Sequence, residues 1–104
     1  MTIKNVLLGT SSTEIIKAST GETAVLSIVF CNTDTATRTI TMYALPNGGS
    51  DGDTTTILKD FAIPAKDTFI WSGDEKLILE TSAKINGICD VANKVSATTS
   101  YKVL

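Results

Sequence analysis

Apolar and polar residues alternate with a period of two along most of this chain, the spacing that sends successive side chains to opposite faces of a β-strand. The clearest run lies between Glu22 and Gly49. From Ala24 to Cys31, Leu26, Ile28 and Phe30 share one face, while Val25, Ser27, Val29 and Cys31 share the other. A polar turn, Asn32 to Thr37, leads to a second strand, Arg38 to Leu45, where Ile40, Met42 and Ala44 alternate with Thr39, Thr41 and Tyr43. This second strand has the one-sided pattern of an antiparallel sheet with a wet face. The first does not. Val25 and Val29 occupy positions that a wet face would fill with polar residues, so the pattern calls for a cover on both sides.

Around this hairpin the chain is cut into short segments. Met1 to Gly9 is mixed, with Val6, Leu7 and Leu8 as its anchor, and reads as an edge strand or an arm that reaches a neighbouring subunit. Residues 1–12 are therefore set apart from a single β-sandwich domain over 13–104. Thr13 to Ala18 reads as a strand with Ile15 and Ile16 facing opposite ways. Pro46 to Asp53 is rich in Gly and Asp, which favours turns with φ > 0, so Asn47, Gly48, Gly49, Asp51 and Asp53 are expected at an exposed hairpin tip. Thr54 to Ile63 resumes the extended pattern with Leu58, Phe61 and Ile63 inward. Lys59-Asp60 marks an edge or a bulge, and Pro64 closes the run. Thr68 to Trp71, a turn at Ser72-Gly73-Asp74, Lys76 to Glu80, Ala83 to Cys89 and Lys94 to Leu104 follow. About eight short strands with turn signals every ~8–12 residues predict an all-β, antiparallel two-sheet sandwich, immunoglobulin-like or jelly-roll in topology.

Composition narrows the function more than the fold. A chain of 104 residues is one domain, and its formal charge is -2 with Lys and Arg scattered. That distribution argues against nucleic acid and anionic membrane as partners. The longest apolar run is far short of the ~20 residues that cross a bilayer. The opening lacks the pattern of a signal peptide, so synthesis in a cytoplasm is expected. There Cys31 and Cys89 are expected to be reduced core thiols. An inter-sheet disulfide of the immunoglobulin kind is the alternative, and Trp71 lies nearer the second Cys than that pattern places it.

The chain contains no His. That removes the commonest general base and metal ligand, and with them every His-based triad. Glu14, Glu22, Asp60, Asp67 and Glu80 are scattered without a paired spacing and read as solvated charges. No catalytic residue, cofactor or metal is assigned, and the protein is expected not to be an enzyme. Asp51 and Asp53 with loop carbonyls offer oxygen ligands for Ca²⁺ but lack the spacing and terminal Glu of an EF-hand. Tyr43, Tyr101 and Trp71 suggest a sugar-stacking platform, yet Phe69 and Trp71 alternate with Ile70 in a way that turns them to the core. What remains is surplus apolar surface. Val6, Leu7, Leu8, Val25, Val29, Ile70 and Ile78 are the candidate interface, since a thin sandwich cannot bury both faces of several strands unaided.

The order of turn elements carries a resemblance. Cys31-Asn32-Thr33 is followed by a Thr/Ala-rich turn, then by Tyr43-Ala44-Leu45-Pro46-Asn47-Gly48-Gly49. Next come Ile63-Pro64-Ala65-Lys66-Asp67-Thr68, Lys76-Leu77-Ile78-Leu79-Glu80-Thr81, Ala83-Lys84-Ile85 and a final Val95 to Tyr101 strand. From about Glu22 to Leu104 the chain resembles small β-sandwich structural proteins of tailed bacteriophage virions. It departs at Thr81-Ser82, where such sequences often carry Gly. The resemblance implies a non-enzymatic virion component made in the bacterial host cytoplasm, with phage capsid or tail proteins as partners. The expectation is a capsid decoration or cement protein acting as a homo-oligomer. A tail, neck or fibre component is the alternative, and a carbohydrate- or calcium-dependent binding module the alternative of another class.

Overall fold

The computed structural model describes residues 2–72 and 77–104, all strand, turn and loop. The strands are β1 (Thr2–Leu7), β2 (Thr13–Lys17), β3 (Thr23–Asn32), β4 (Arg38–Leu45), β5 (Thr56–Ile63), β6 (Thr68–Trp71), β7 (Leu77–Leu79), β8 (Lys84–Cys89) and β9 (Val95–Val103). Of the expected turn at Ser72-Gly73-Asp74 only Ser72 lies among the described residues, and Lys76 lies outside them.

The strands build two antiparallel sheets. One has the order β1-β9-β3-β6, with β7 also paired to β3; the other has the order β2-β8-β4-β5. β6 lies against Ile28 to Cys31 and β7 against Thr23 to Val25, so the two occupy successive halves of a single edge. Counted by position the sandwich thus has eight strand tracks. The pairs β1·β9, β2·β8, β3·β6/β7 and β4·β5 are nested like a folded hairpin rolled on itself, which is the jelly roll. An immunoglobulin topology would place the first two strands side by side in one sheet. Here β1 and β2 lie in different sheets.

Two inserted residues decide what fills the core. In β3 the pairing with β9 shifts between Val25 and Ser27, leaving Leu26 as an extra residue. A bulge of this kind reverses the facing of everything beyond it. Val25 before the bulge and Ile28 and Phe30 after it therefore all point between the sheets and are fully buried, while Leu26 is only half-buried. Strict alternation had put Leu26 in the core and Val25 outside. The same happens in β2, where the shift between Glu14 and Ile16 makes Ile15 the extra residue and buries both isoleucines. Leu8 follows β1 and turns into the core, its amide bonded to Val95 O at 3.0 Å. It packs over Gly87, where a Cβ would fall 2.8 Å from Ile15 Cδ1 and 3.1 Å from Leu8 Cδ2. Leu8 and Val25 are thus core residues and not surface residues.

In β9 and at Lys59-Asp60 the pattern matches the structure. Val95, Ala97 and Thr99 are buried on the inner face of β9, and Ser96, Thr98 and Ser100 lie on the other. Lys59-Asp60 is a bulge on an edge strand: two residues of β5 oppose Thr41, with Asp60 at φ 48°. Phe61 of β5, expected inward, is instead exposed at the rim because β5 is an edge strand, and its ring lies tilted by 40° against Phe69 of β6 with centroids 4.2 Å apart. Both thiols are free, but only Cys89 is a core thiol: Cys31, expected in the core, is half-buried on the outer face of the five-stranded sheet opposite Thr68 and Ser96, while Cys89 faces into the core from the other sheet. Burial pushes the Cys89 thiol above its ordinary range.

Polar groups pin the crossing from β3 to β4. Asn32 is fully buried, and its Nδ2 donates to Ala36 O and Ile63 O at 2.9 Å and to Pro64 O at 3.2 Å. Its Oδ1 accepts from the Asp34 amide at 3.0 Å. One side chain at the end of β3 thereby holds its own turn and the far end of β5 in the opposite sheet. Beside it Arg38 meets Asp34 through Nε at 2.8 Å and Nη2 at 2.7 Å, and reaches Asp90 at 3.5 Å. The Arg38 guanidinium, with the Thr35 amide, holds the Asp34 carboxyl below its ordinary range. Asp90 is also lowered: burial pushes against ionisation but is outweighed by the Thr39 amide, the Cys89 thiol and Arg38. By contrast the buried Thr99 hydroxyl has no hydrogen-bond partner among the described residues.

Asn32→Ala strands three carbonyls and an amide and is expected to cost about 3 kcal/mol in urea denaturation. Thr99→Val removes a hydroxyl with no partner among the described residues and is expected to leave stability unchanged or raise it by ~1 kcal/mol. A folded-state pKa below the unfolded one means that Asp34 stabilises the fold above the ordinary carboxylate pKa of about 4, and loses this as pH falls through the lowered value. Calorimetry on Asp34→Asn should give a lower Tm than the parent at pH 6 and a gap that closes as the pH falls through the lowered carboxyl value. A gap independent of pH would show that the charge is not its source.

Candidate functional site

The five-stranded sheet has one face in the core and one that no described residue covers. Its outward positions are fixed by the registers of β9 with β1 and β3. β1 contributes Ile3, Asn5 and Leu7, opposite Ser100, Thr98 and Ser96 of β9. β3 contributes Ala24, Ser27, Val29 and Cys31, and β6 and β7 add Thr68, Ile70 and Ile78. Four large apolar side chains stand open to solvent here: Ile3 at 64%, Leu7 at 49%, Ile70 at 58% and Ile78 at 55%. Val29 lies half-buried between Ile70 and Thr98 on its neighbouring strands. The rest is mostly Ser and Thr, with Asn5, Ala24, Cys31 and Lys102. Among the described outward positions only Lys102 carries a charge.

Of the seven residues expected at an interface, Leu7, Val29, Ile70 and Ile78 come together on this face. Val6 is half-buried and points inward opposite Ala97, while Leu8 and Val25 belong to the core. Ile3 joins the face although the sequence reading passed over it. Its signal was present: Ile3, Asn5 and Leu7 alternate with Lys4 and Val6, and one of these two sets had to face away from the core.

The outer face of the four-stranded sheet differs. Lys17, Lys84, Thr39, Thr41 and Tyr43 occupy it, and the β4–β5 loop leans against it, with Asn86 Nδ2 donating to Asp51 Oδ1 at 3.3 Å. This is the Gly/Asp-rich loop. Asn47, Gly48, Asp51 and Asp53 are exposed, and Gly48 takes φ 79°, a conformation that favours glycine. Gly49 is half-buried because its amide folds back on Pro46 O at 2.8 Å, leaving 2.7 Å between a would-be Cβ and Pro46 Cδ. Further bonds tie the loop down, from the Thr56 hydroxyl to Gly52 O at 2.7 Å and from the Asn47 amide to Glu80 Oε1 at 3.4 Å. Among the described residues no three His, Cys, Asp or Glu side chains gather closely enough to hold a metal ion.

The aromatic residues do not converge either. Phe30, Phe69, Trp71 and Tyr101 pack in or against the core, and Tyr43 lies on the opposite sheet from them. An open apolar groove of about 360 Å³, lined chiefly by Leu45, Pro46, Leu77, Ile78 and Leu79, adjoins the bare face through Ile78. The chemistry within reach of this face is apolar contact and hydroxyl hydrogen bonding. Compared with known proteins, the chain matches no family model, and no curated protein or solved structure is significantly similar to it.

Proposed function

We propose that the protein is a non-enzymatic structural component of a tailed-phage virion, a decoration protein that docks on the capsid shell through the outer face of its five-stranded sheet. The observation that supports this reading is the bare face itself: Ile3, Leu7, Ile70 and Ile78 exposed on a sheet surface with one charge among its described outward positions. Jelly rolls serve in viral capsids and also in lectins and cupins, so the fold alone names no function. The resemblance in the order of turn elements is what points to a virion.

Size sets how the docking works. Four strand tracks at ~4.8 Å spacing and some 30 Å of length give a face of roughly 600 Å². Opposed to a partner it buries about 1,200 Å² in total, the lower end of specific interfaces. One copy therefore binds weakly, and the stabilisation of a shell comes from many copies across capsomer junctions. The mechanism is mechanical: apolar area removed from water adds to the free energy that holds the junction closed.

The test is co-sedimentation with shells of the phage that encodes the chain, followed by imaging. The parent protein is expected to bind and to form a regular lattice on the head. Ile70→Glu with Ile78→Glu should leave unfolding within ~0.5 kcal/mol of the parent, as exposed substitutions usually do, and weaken binding at least about tenfold. A localised signal at the neck or tail moves the same face to a tail component. No binding to any part of the particle overturns the reading.

A further inference from the structure

The sandwich has four sheet edges, and three of them are blunted. β5 carries two register shifts and Asp60 at φ 48°. β2 has five residues with one shift. The remaining edge opposite β1 is split between β6 and β7, of four and three residues. These interruptions are the usual means by which an edge avoids pairing with another chain. β1 has none of them. Its six residues keep unbroken register with β9 from Thr2↔Tyr101 to Leu7↔Ser96, without Pro, Gly or a positive φ. Its one charge, Lys4, is turned to Glu14 of β2 at 3.6 Å. Ile3 and Leu7 stand exposed beside the open edge.

We infer that β1 pairs antiparallel with β1 of a second copy about a two-fold axis through Asn5. This builds on the docking reading, since the joined sheet presents both bare faces side by side. The register follows from the side chains. Residues directly opposite one another in an antiparallel pair share a face and touch. With the axis at Asn5, Ile3 of each copy meets Leu7 of the other on the outer face, and Lys4 meets Val6 on the inner one. An axis at Lys4 would set two ammonium groups opposite each other, an arrangement that destabilises a pair. An axis between two residues would turn one copy's bare face to the other side of the joined sheet. The Asn5 register is the one that pairs apolar with apolar, opposes no like charges and overlaps five residues of each strand. It is also isologous, as a two-fold contact requires. The product is a continuous sheet of eight tracks whose docking face is double that of one copy, and two linked faces bind a shell far more tightly than either alone.

The pairing is tested on the full chain carrying Asn5→Cys and Cys31→Ser, the second change removing the half-exposed thiol on the same face. Opposed residues at the axis have Cα atoms about 4.5–5.5 Å apart, inside the span of a disulfide. Mild oxidation at micromolar concentration should give a covalent dimer on a non-reducing gel. Lys17→Cys in the same background, at the exposed β2 edge, should stay monomeric. In analytical ultracentrifugation the parent should sediment at twice the chain mass, and Asn5→Lys, which brings two charges to the axis, at the chain mass with an unchanged Tm. A parent that sediments as a monomer, or Asn5→Cys that cross-links no better than Lys17→Cys, overturns the inference. The docking reading fails separately. A parent dimer that binds no shell overturns docking and leaves the pairing intact, while a monomer that binds shells does the reverse.

Discussion

β3 is hydrogen-bonded along both edges, to β9 on one side and to β6 and β7 on the other, and this double pairing governs the rest of the five-stranded sheet. A strand tied on both sides cannot slip in register without breaking two ladders, so the extra residue at Leu26 is absorbed locally as a bulge. The effect spreads through side-chain facing. Val25, Ile28 and Phe30 all enter the core, and the outward set becomes Ala24, Ser27, Val29 and Cys31. Had the strand alternated without interruption, either Val25 or the pair Ile28 and Phe30 would have been left outside. The bulge gives the core three large residues, Val25, Ile28 and Phe30, and leaves Val29 on the outer face and Leu26 half-buried at the bulge itself.

At its far end the same strand hands the chain to the opposite sheet, and Asn32 makes that transfer specific. A buried amide is costly unless it is bonded, and here both its donor and its acceptor sides are engaged. The Arg38 network with Asp34 and Asp90 braces the same corner from the outside, where partial exposure limits what each ion pair contributes. The sandwich is thus held by apolar burial between the sheets and by polar fastening at the crossing. The core supplies most of the free energy; the polar corner fixes the register with which the sheets meet.

The two outer faces then separate by chemistry. The four-stranded sheet carries Lys17 and Lys84 and supports the hydrogen-bonded Gly/Asp loop, so it is both charged and partly covered. Among the described residues the outer face of the five-stranded sheet is uncovered, carries one charge and is studded with isoleucine and leucine. That asymmetry directs attention to one side of the molecule, and the regular edge at β1 lies on the border of that same side. A face suited to contact and an edge suited to extension are adjacent because Ile3 and Leu7 belong to both.

The period-two pattern, the β-branched composition and the spacing of turn residues determined an antiparallel two-sheet sandwich, because pleat and burial act residue by residue along a strand. The same local rule placed Ile40 and Met42, the buried set of β9 and the bulge at Lys59-Asp60, and it singled out Leu7, Val29, Ile70 and Ile78 as surplus apolar surface. It failed where one residue had to be counted twice. Leu26 and Ile15 are bulged only because pairing with β9 and with β8 fixes the register before and after them, and no local signal in the strand announces that, so Val25 was placed on the outer face and Ile15 and Ile16 on opposite faces, whereas all three are buried. Leu8 was misplaced for a related reason: its burial depends on the space that Gly87 leaves in a strand distant in sequence. Jelly-roll order, the convergence of Ile3 with Ile70 and Ile78, and the choice of which sheet stays bare are properties of strand pairing between distant segments. Only the tertiary structure decided those.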